Sequence, residues 1–293
     1  MAASAQATGE VGTGSEATHV LVVPSETVGG SKLLAAVKQR ADRGPIRCTV
    51  ICPRNDPRKG LLLHDDTART AAQIRLDHTI QQLREMGIEA DGEVMDPDAF
   101  LSVQDAVGIY HPDEIVISTN LYPRSGFLRR DLVERIEQSF GLPVEHVVVD
   151  LQEEPVKHAL VVANETVSER PLIEALEKRA SESPHRFTII SPQGGKSPEA
   201  AATAKERLDR TVEELRRDGL QVAGQIMDTD PLTSVLNAIQ YHPADEIIVS
   251  TFKGQRSRWQ RIDLVERVRR ATGRQVEHIA VEPAGQQTTV AAG

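Results

Sequence analysis

The sequence predicts an α/β protein built as two tandem α/β/α sandwiches, each a five-stranded parallel sheet flanked by helices. Three observations predict it. The chain repeats itself at a nearly constant interval. Each copy alternates strand-length and helix-length apolar patterns. The strands are unbroken apolar runs, as expected where both faces of a sheet are covered.

The repeat is visible by eye. "HVLVVPSETV" (19–28) recurs as "HALVVANETV" (158–167), and "RCTVICP" (47–53) as "RFTIISP" (186–192). "VMDPD" (94–98) returns as "IMDTD" (226–230), and "YHPDEIVIST" (110–119) as "YHPADEIIVST" (241–251). "RRDLVERI" (129–136) returns as "RIDLVERV" (261–268), and "VEHVVVD" (144–150) as "VEHIAVE" (276–282). The offset drifts only from 139 to 132 residues, shortening near 54–68. One copy therefore spans 19–150 and the other 158–282, joined by the polar, proline-containing linker "LQEEPVK" (151–157). Residues 1–18 and 283–293 read as a disordered leader and tail.

In the second copy "HALVVA" is the first strand. Leu172, Ile173, Leu176 and Ala180 have helical spacing, with Pro171 suited to a first turn. "RFTIIS" is the second strand, and Leu208, Val212 and Leu215 mark a helix stopped by Gly219. "QVAGQIM" is the third strand. Asp230-Pro231 caps and opens a short helix carrying Leu232, Val235 and Ile239. "EIIVST" follows as the fourth strand, then a helix over roughly 260–272, then "VEHIAVE". The first copy reads the same way, with Leu33, Leu34, Val37 and Ala41 on its first helix. Parallel strands joined by helices need right-handed crossovers, and such sheets bind ligands beyond their carboxyl edge where strand order reverses.

Composition narrows the function. With 34 Lys and Arg against 43 Asp and Glu, the net charge is −9, which argues against non-specific nucleic-acid or anionic-membrane binding. No apolar run approaches the ~20 residues of a membrane helix, and the amino terminus lacks the pattern of a secretory signal. Two cysteines do not make a disulfide framework, so a reducing, cytoplasmic setting is expected. Cys48 and Cys52 share a strand at a separation of ~13 Å, too far for a disulfide, so Cys48 reads as core filler. Six histidines form matched pairs: His19/His158, His111/His242 and His146/His278. Their positions near strand starts suggest a gathering at the amino edge of each sheet, but not at metal-ligand spacing, so no metal is expected. Motifs for nucleotide hydrolysis, nucleophilic serine chemistry and zinc proteolysis are absent, so the chain reads as a non-enzyme.

The element order, with "EVMDPDAFLSVQDAV…DEIVIST" at its centre, resembles the universal stress protein family over both copies. The resemblance implies a Rossmann-like sheet in the order 3-2-1-4-5, copies that pair through their last strands as a pseudo-dimer within the chain, and binding of ATP or another adenine nucleotide; a homodimer is the other partner considered. Members that bind ATP carry an aspartate after the first strand and a G-x2-G-x9-G-[ST] loop after the fourth. Here the first position reads Pro24-Ser25-Glu26-Thr27 and Ala163-Asn164-Glu165-Thr166. The loops are "STNLYPRSGFLRRD" and "STFKGQRSRWQRID", without that glycine spacing, which places the chain nearer the family's glycine-poor branch.

Those loops hold cations instead: Arg124, Arg129 and Arg130 in the first copy, Lys253, Arg256, Arg258 and Arg261 in the second. Cations at a helix start oppose its dipole by something like ~0.3–1 kcal/mol each. An anion among them reverses the balance, because amides, dipole and guanidinium forks then act together. The candidate anion or nucleotide site is therefore Ser25, Glu26, Thr27, Ser118, Thr119, Arg124, Ser125 and Arg129, with Asn164, Glu165, Thr166, Ser250, Thr251, Arg256, Ser257, Arg258 and Arg261 in the second copy. Other readings of the same residues stand beside it. Ser257 with Gln260 matches a capping box, and the arginines equally suit salt bridges to a partner. The function expected is stress-response regulation through a small anionic ligand, or else a ligand-free scaffold that docks partners through the arginine loops and last strands.

Overall fold

The fold is taken from a computed structural model that describes residues 17–24, 30–54, 65–121, 130–193, 197–227, 230–253 and 263–282. The first half runs β1 (Thr18–Val23), α1 (Ser31–Ala41), β2 (Ile46–Pro53), α2 (Asp65–Glu85), β3 (Glu89–Met95), α3 (Ala99–Tyr110), β4 (Glu114–Asn120), α4 (Arg130–Phe140) and β5 (Val144–Val149). The second runs β6 (Lys157–Val162), α5 (Arg170–Glu182), β7 (His185–Pro192), α6 (Pro198–Arg217), β8 (Gln221–Met227), α7 (Pro231–Tyr241), β9 (Glu246–Phe252), α8 (Leu264–Thr272) and β10 (Gln275–Val281). Two parallel five-stranded sheets result, ordered β3-β2-β1-β4-β5 and β8-β7-β6-β9-β10. The order 3-2-1-4-5 thus holds in both halves.

Local chemistry sets the boundaries. The Asp98 carboxylate accepts from the Phe100 and Leu101 amides and starts α3. Asp230 accepts from the Thr233 amide at 2.8 Å and starts α7, with Pro231 in the first turn. Gly219, at φ 87, ends α6 in the left-handed region where a Cβ would be strained. The predicted helix from about residue 260 is observed from Leu264, and the Ser257–Gln260 capping box lies outside the described residues.

Both faces of each sheet are covered, as the apolar runs predicted. Val20, Val22, Cys48, Val50 and Cys52 face α1 and α2 with Leu33, Val37, Leu76 and Leu83. Leu21, Val23, Ile115 and Ile117 face α3 and α4 with Val103, Val133 and Ile136. The second half repeats the plan, with Phe187 in the place of Cys48. Burial pushes both cysteine thiols up to about 12, which leaves them inert.

A matched ion cluster ties helix to sheet in each half, and it escapes a motif search. Arg40 on α1 donates to Glu114 at the start of β4 (2.8 Å) and to Glu145 on β5 (2.6 Å). Its repeat, Arg179 on α5, pairs with Glu246 (3.3 Å) and Glu277. Burial lowers the Arg40 affinity for its proton, but the two carboxylates outweigh that and raise it.

The two halves sit together within one chain, but among the described residues they do not join through their last strands. Among the described residues β5 pairs with β4 and β10 with β9. The reason is connectivity. The linker passes from the carboxyl end of β5 to the amino end of β6, which is the central strand of the next sheet. The carboxyl edge of the first sheet therefore faces the amino edge of the second. A cavity of about 280 Å³ lies between them, lined by Asn120, Leu121, Asp150 and Glu154 on one side and His158, Arg186, Asp245 and Arg274 on the other. Helix α2 also reaches across. Ala68 and Ala71 pack on Tyr241, and the Gln225 amide donates to the Thr67 carbonyl at 3.2 Å.

Candidate functional site

The expected site is at the carboxyl edge, where the chain crosses from one side of the central strand to the other. In the second half that point lies between β6 and β9. Past β6, Asn164 donates to the Pro192 carbonyl at 2.7 Å and accepts from the Ser191 hydroxyl at 3.4 Å. Thr166 folds back over the sheet, and its hydroxyl donates to the Ser250 carbonyl at 3.2 Å. Thr251 hydrogen-bonds His278 Nε2 at 2.8 Å. Asn164, Thr166, Ser191, Ser250 and Thr251 are all buried, while Glu165 points out to solvent. The Ser250 hydroxyl is buried and has no hydrogen-bond partner. A buried hydroxyl left unpaired costs ~1–3 kcal/mol, so among the described residues of this edge it is a group still owed a partner.

In the first half Ser118 and Thr119 occupy the matching positions on β4, both buried, with Thr119 hydrogen-bonded to His146 Nε2 at 2.7 Å. Here the start of α1 is occupied from within the chain. The linker carboxylate of Glu154 accepts from the Ser31 amide at 2.8 Å and the Ser31 hydroxyl at 3.3 Å. Glu153 pairs with Lys32 at 3.1 Å. A Cβ on Gly30 would stand 3.0 Å from the Glu154 carboxylate and 3.0 Å from Val149, so glycine admits the linker here. Glu154 thus serves as the anion that a helix start attracts.

The structure therefore brings Asn164, Thr166, Ser250 and Thr251 together at one edge and Ser118 and Thr119 at the other, and it leaves Glu165 apart. Ser25, Glu26, Thr27, Arg124, Ser125, Arg129, Arg256, Ser257, Arg258 and Arg261 lie outside the described residues. Lys253 is described, and it pairs with Glu282 at 2.7 Å.

The matched histidines gather only in part: His158 and His242 meet in the second half at 6.5 Å, but His146 and His278 lie apart. His146 and His278 bond threonines of the neighbouring strand, whereas His19 and His158 bond Thr49 (2.9 Å) and Thr188 (2.8 Å). The reason is register: His146 sits opposite Ile117, several residues along β4 from its amino end. Among the described residues no group of His, Cys, Asp or Glu is arranged to hold a metal ion, and no helix is long and apolar enough to cross a membrane.

No family model matches the chain, and no curated protein matches it. Solved structures do. A universal stress protein from Archaeoglobus fulgidus DSM 4304 aligns over 90% of this chain and 97% of its own, at 15% identity and a TM-score of 0.36. A second, from Archaeoglobus fulgidus, covers 42% of this chain and 93% of its own, at 22% identity and a TM-score of 0.31. A putative universal stress protein from Pseudomonas aeruginosa UCBPP-PA14 covers 90% and 93%, at 14% identity and a TM-score of 0.31. Independently of these likenesses, the strand order in each half is the one that the sequence resemblance implied.

Proposed function

We propose that the chain is a non-enzymatic regulatory protein of the stress-response type that holds a small anionic ligand, of the nucleotide-phosphate class, at the carboxyl edge of the second sheet. The observation that carries the reading is the partnerless Ser250 hydroxyl, buried at the crossover between β6 and β9 beside Asn164, Thr166 and Thr251. The arginine-rich loop that follows β9 in sequence supplies the charge for an anion. The proposal includes a cytoplasmic setting.

Calorimetric titration with ATP, ADP, AMP and cyclic nucleotides tests this. Binding is expected in the wild type. Ser250→Ala is expected to weaken it about tenfold, the worth of one hydrogen bond to a charged group, and Arg256→Ala with Arg258→Ala to weaken it further. Absence of binding by the wild type removes the ligand hypothesis, and binding untouched by these substitutions moves the site elsewhere.

One observation favours the second reading, a ligand-free scaffold. Glu154 already fills the anion position at the start of α1, so the first half is self-satisfied. That reading predicts no heat in the same titration.

A further inference from the structure

The duplicated amino edge carries its own control. The first half presents His19, Arg47, Thr49, Tyr110, His111 and Asp113, and the second repeats them as His158, Arg186, Thr188, Tyr241, His242 and Asp245. Asp113 and Asp245 both accept from the backbone amide of the histidine at 2.7 Å, so the two edges are built alike. Their surroundings differ. At the first edge His111 is exposed, although His19 is buried as His158 is. The second is covered by α2, and His242 is 2% exposed.

Under α2 a hydrogen-bonded chain crosses from one half to the other. His242 Nε2 donates to the Gln225 Oε1 at 2.9 Å, and the Gln225 amide donates to the Thr67 carbonyl of α2. Beside it His158 Nδ1 donates to the Pro243 carbonyl, which leaves Nε2 to accept from the Thr188 hydroxyl. The two rings meet edge to face at 6.5 Å. His78 comes down from α2 itself and lines, with Asp77, Arg186 and Arg216, a cavity of about 80 Å³.

The charges around these imidazoles are mostly positive. Arg75 stands on α2, Arg186 on β7 and Arg216 on α6. Three acids lie nearby. Asp245, before β9, accepts from the His158 amide, Asp245 and Glu154 of the linker both act electrostatically on Arg186, and Asp77 on α2 faces solvent. Burial first, and these arginines second, push His78 down to about 4 and His242 down to about 3, and His158 well below its ordinary value.

We propose that this joint is an acid-sensitive hinge, in which a proton taken up by His78 or His242 places a further cation among Arg75, Arg186 and Arg216 and releases α2 from the second half. The sign follows from linkage. Released histidines hold a proton below about pH 6.5, while docked ones refuse it until far lower. Docking is therefore fully favoured above pH 6.5 and is lost progressively as pH falls toward 4. Each histidine contributes up to a tenfold change in the open-to-closed ratio per pH unit across that window. The hinge does not depend on any ligand at the carboxyl edge.

Small-angle scattering of the full chain from pH 7.5 to 4.5, with circular dichroism on the same samples, tests it. The radius of gyration is expected to rise below about pH 6 while helix and strand signals stay constant. Ala71→Asp, which buries a carboxylate against Tyr241, is expected to open the joint at neutral pH and to define the open dimension. His78→Gln with His242→Gln is expected to remove the pH response, which in the wild type is as steep as about a hundredfold per unit. His78→Gln alone gives an intermediate slope, and His111→Gln leaves it unchanged. A radius that stays constant until the dichroism signal collapses overturns the hinge, as does a wild-type slope in the double variant.

Discussion

Phe187→Ala lowers the stability of the second half by about 3–5 kcal/mol, the range for deleting a buried phenylalanine. Phe187 is 2% exposed on β7. It packs among the core residues Leu208, Val212, Leu215 and Val222, and its ring stacks on His185 at 5.8 Å. The duplicate gives the contrast. Cys48 fills the same position in the first half with a far smaller side chain, and the core there has adjusted to it. Cys48→Ala is therefore expected to cost only about 1 kcal/mol, the worth of a methyl-sized group. Urea unfolding followed by tryptophan fluorescence reads the second half, since Trp259 is the only tryptophan and belongs to that copy. A loss under 1 kcal/mol for Phe187→Ala would show that the second core collapses to fill the space.

Arg40→Ala is expected to cost about 3 kcal/mol. The guanidinium side chain is 14% exposed and its partner Glu114 is 18% exposed. Removing the arginine leaves the Glu114 carboxylate half-buried and unpaired, the costly way to break an ion pair. It also detaches α1 from the starts of β4 and β5 together. Glu145 is more exposed, at 42%, so Glu145→Ala is expected to cost less than 1 kcal/mol. A double-mutant cycle between Arg40 and Glu114 measures the pair directly, and a coupling near zero would reduce the cluster to surface decoration. Arg179→Ala should behave alike in the second half, where Glu246 and Glu277 play the same parts.

Much of the fold was legible because duplication writes every strand twice. Either copy of "LVV", or "IVIST" or "IIVST" taken alone, is a short apolar run that a buried helix segment could also produce. Two copies in the same order, at nearly the same spacing, remove that ambiguity. The matched triple Arg40, Glu114 and Glu145 was open to the same comparison, since its repeat carries identical residue types, but no motif flags it. The joint was harder to read, for a physical reason. It depends on the residues in which the copies differ. At the 132-residue offset Ala71, Ile74 and His78 on α2 become Thr203, Glu206 and Arg210 on α6. A search for likeness passes over such positions, although a helix face that is apolar in one copy and charged in the other announces a contact made only once. The candidate site was legible in part. The polar ends of β6 and β9 meet as expected, whereas the closure of Thr166 over Ser250 and the seat of Glu154 depend on loop paths that no periodicity encodes.

A contact between unlike surfaces, one helix of a unit seated on the edge of the next, has no intrinsic stopping point, and repeated it generates an open array. In the first half the matching amino edge leaves His111 exposed. In the second half, Glu199, Thr203, Glu206 and Arg210 on α6 all face solvent where α2 carries its docking residues. The charged α6 face is thus unlike the α2 face that docks, so the described residues make a contact of this kind from α2 and not from α6.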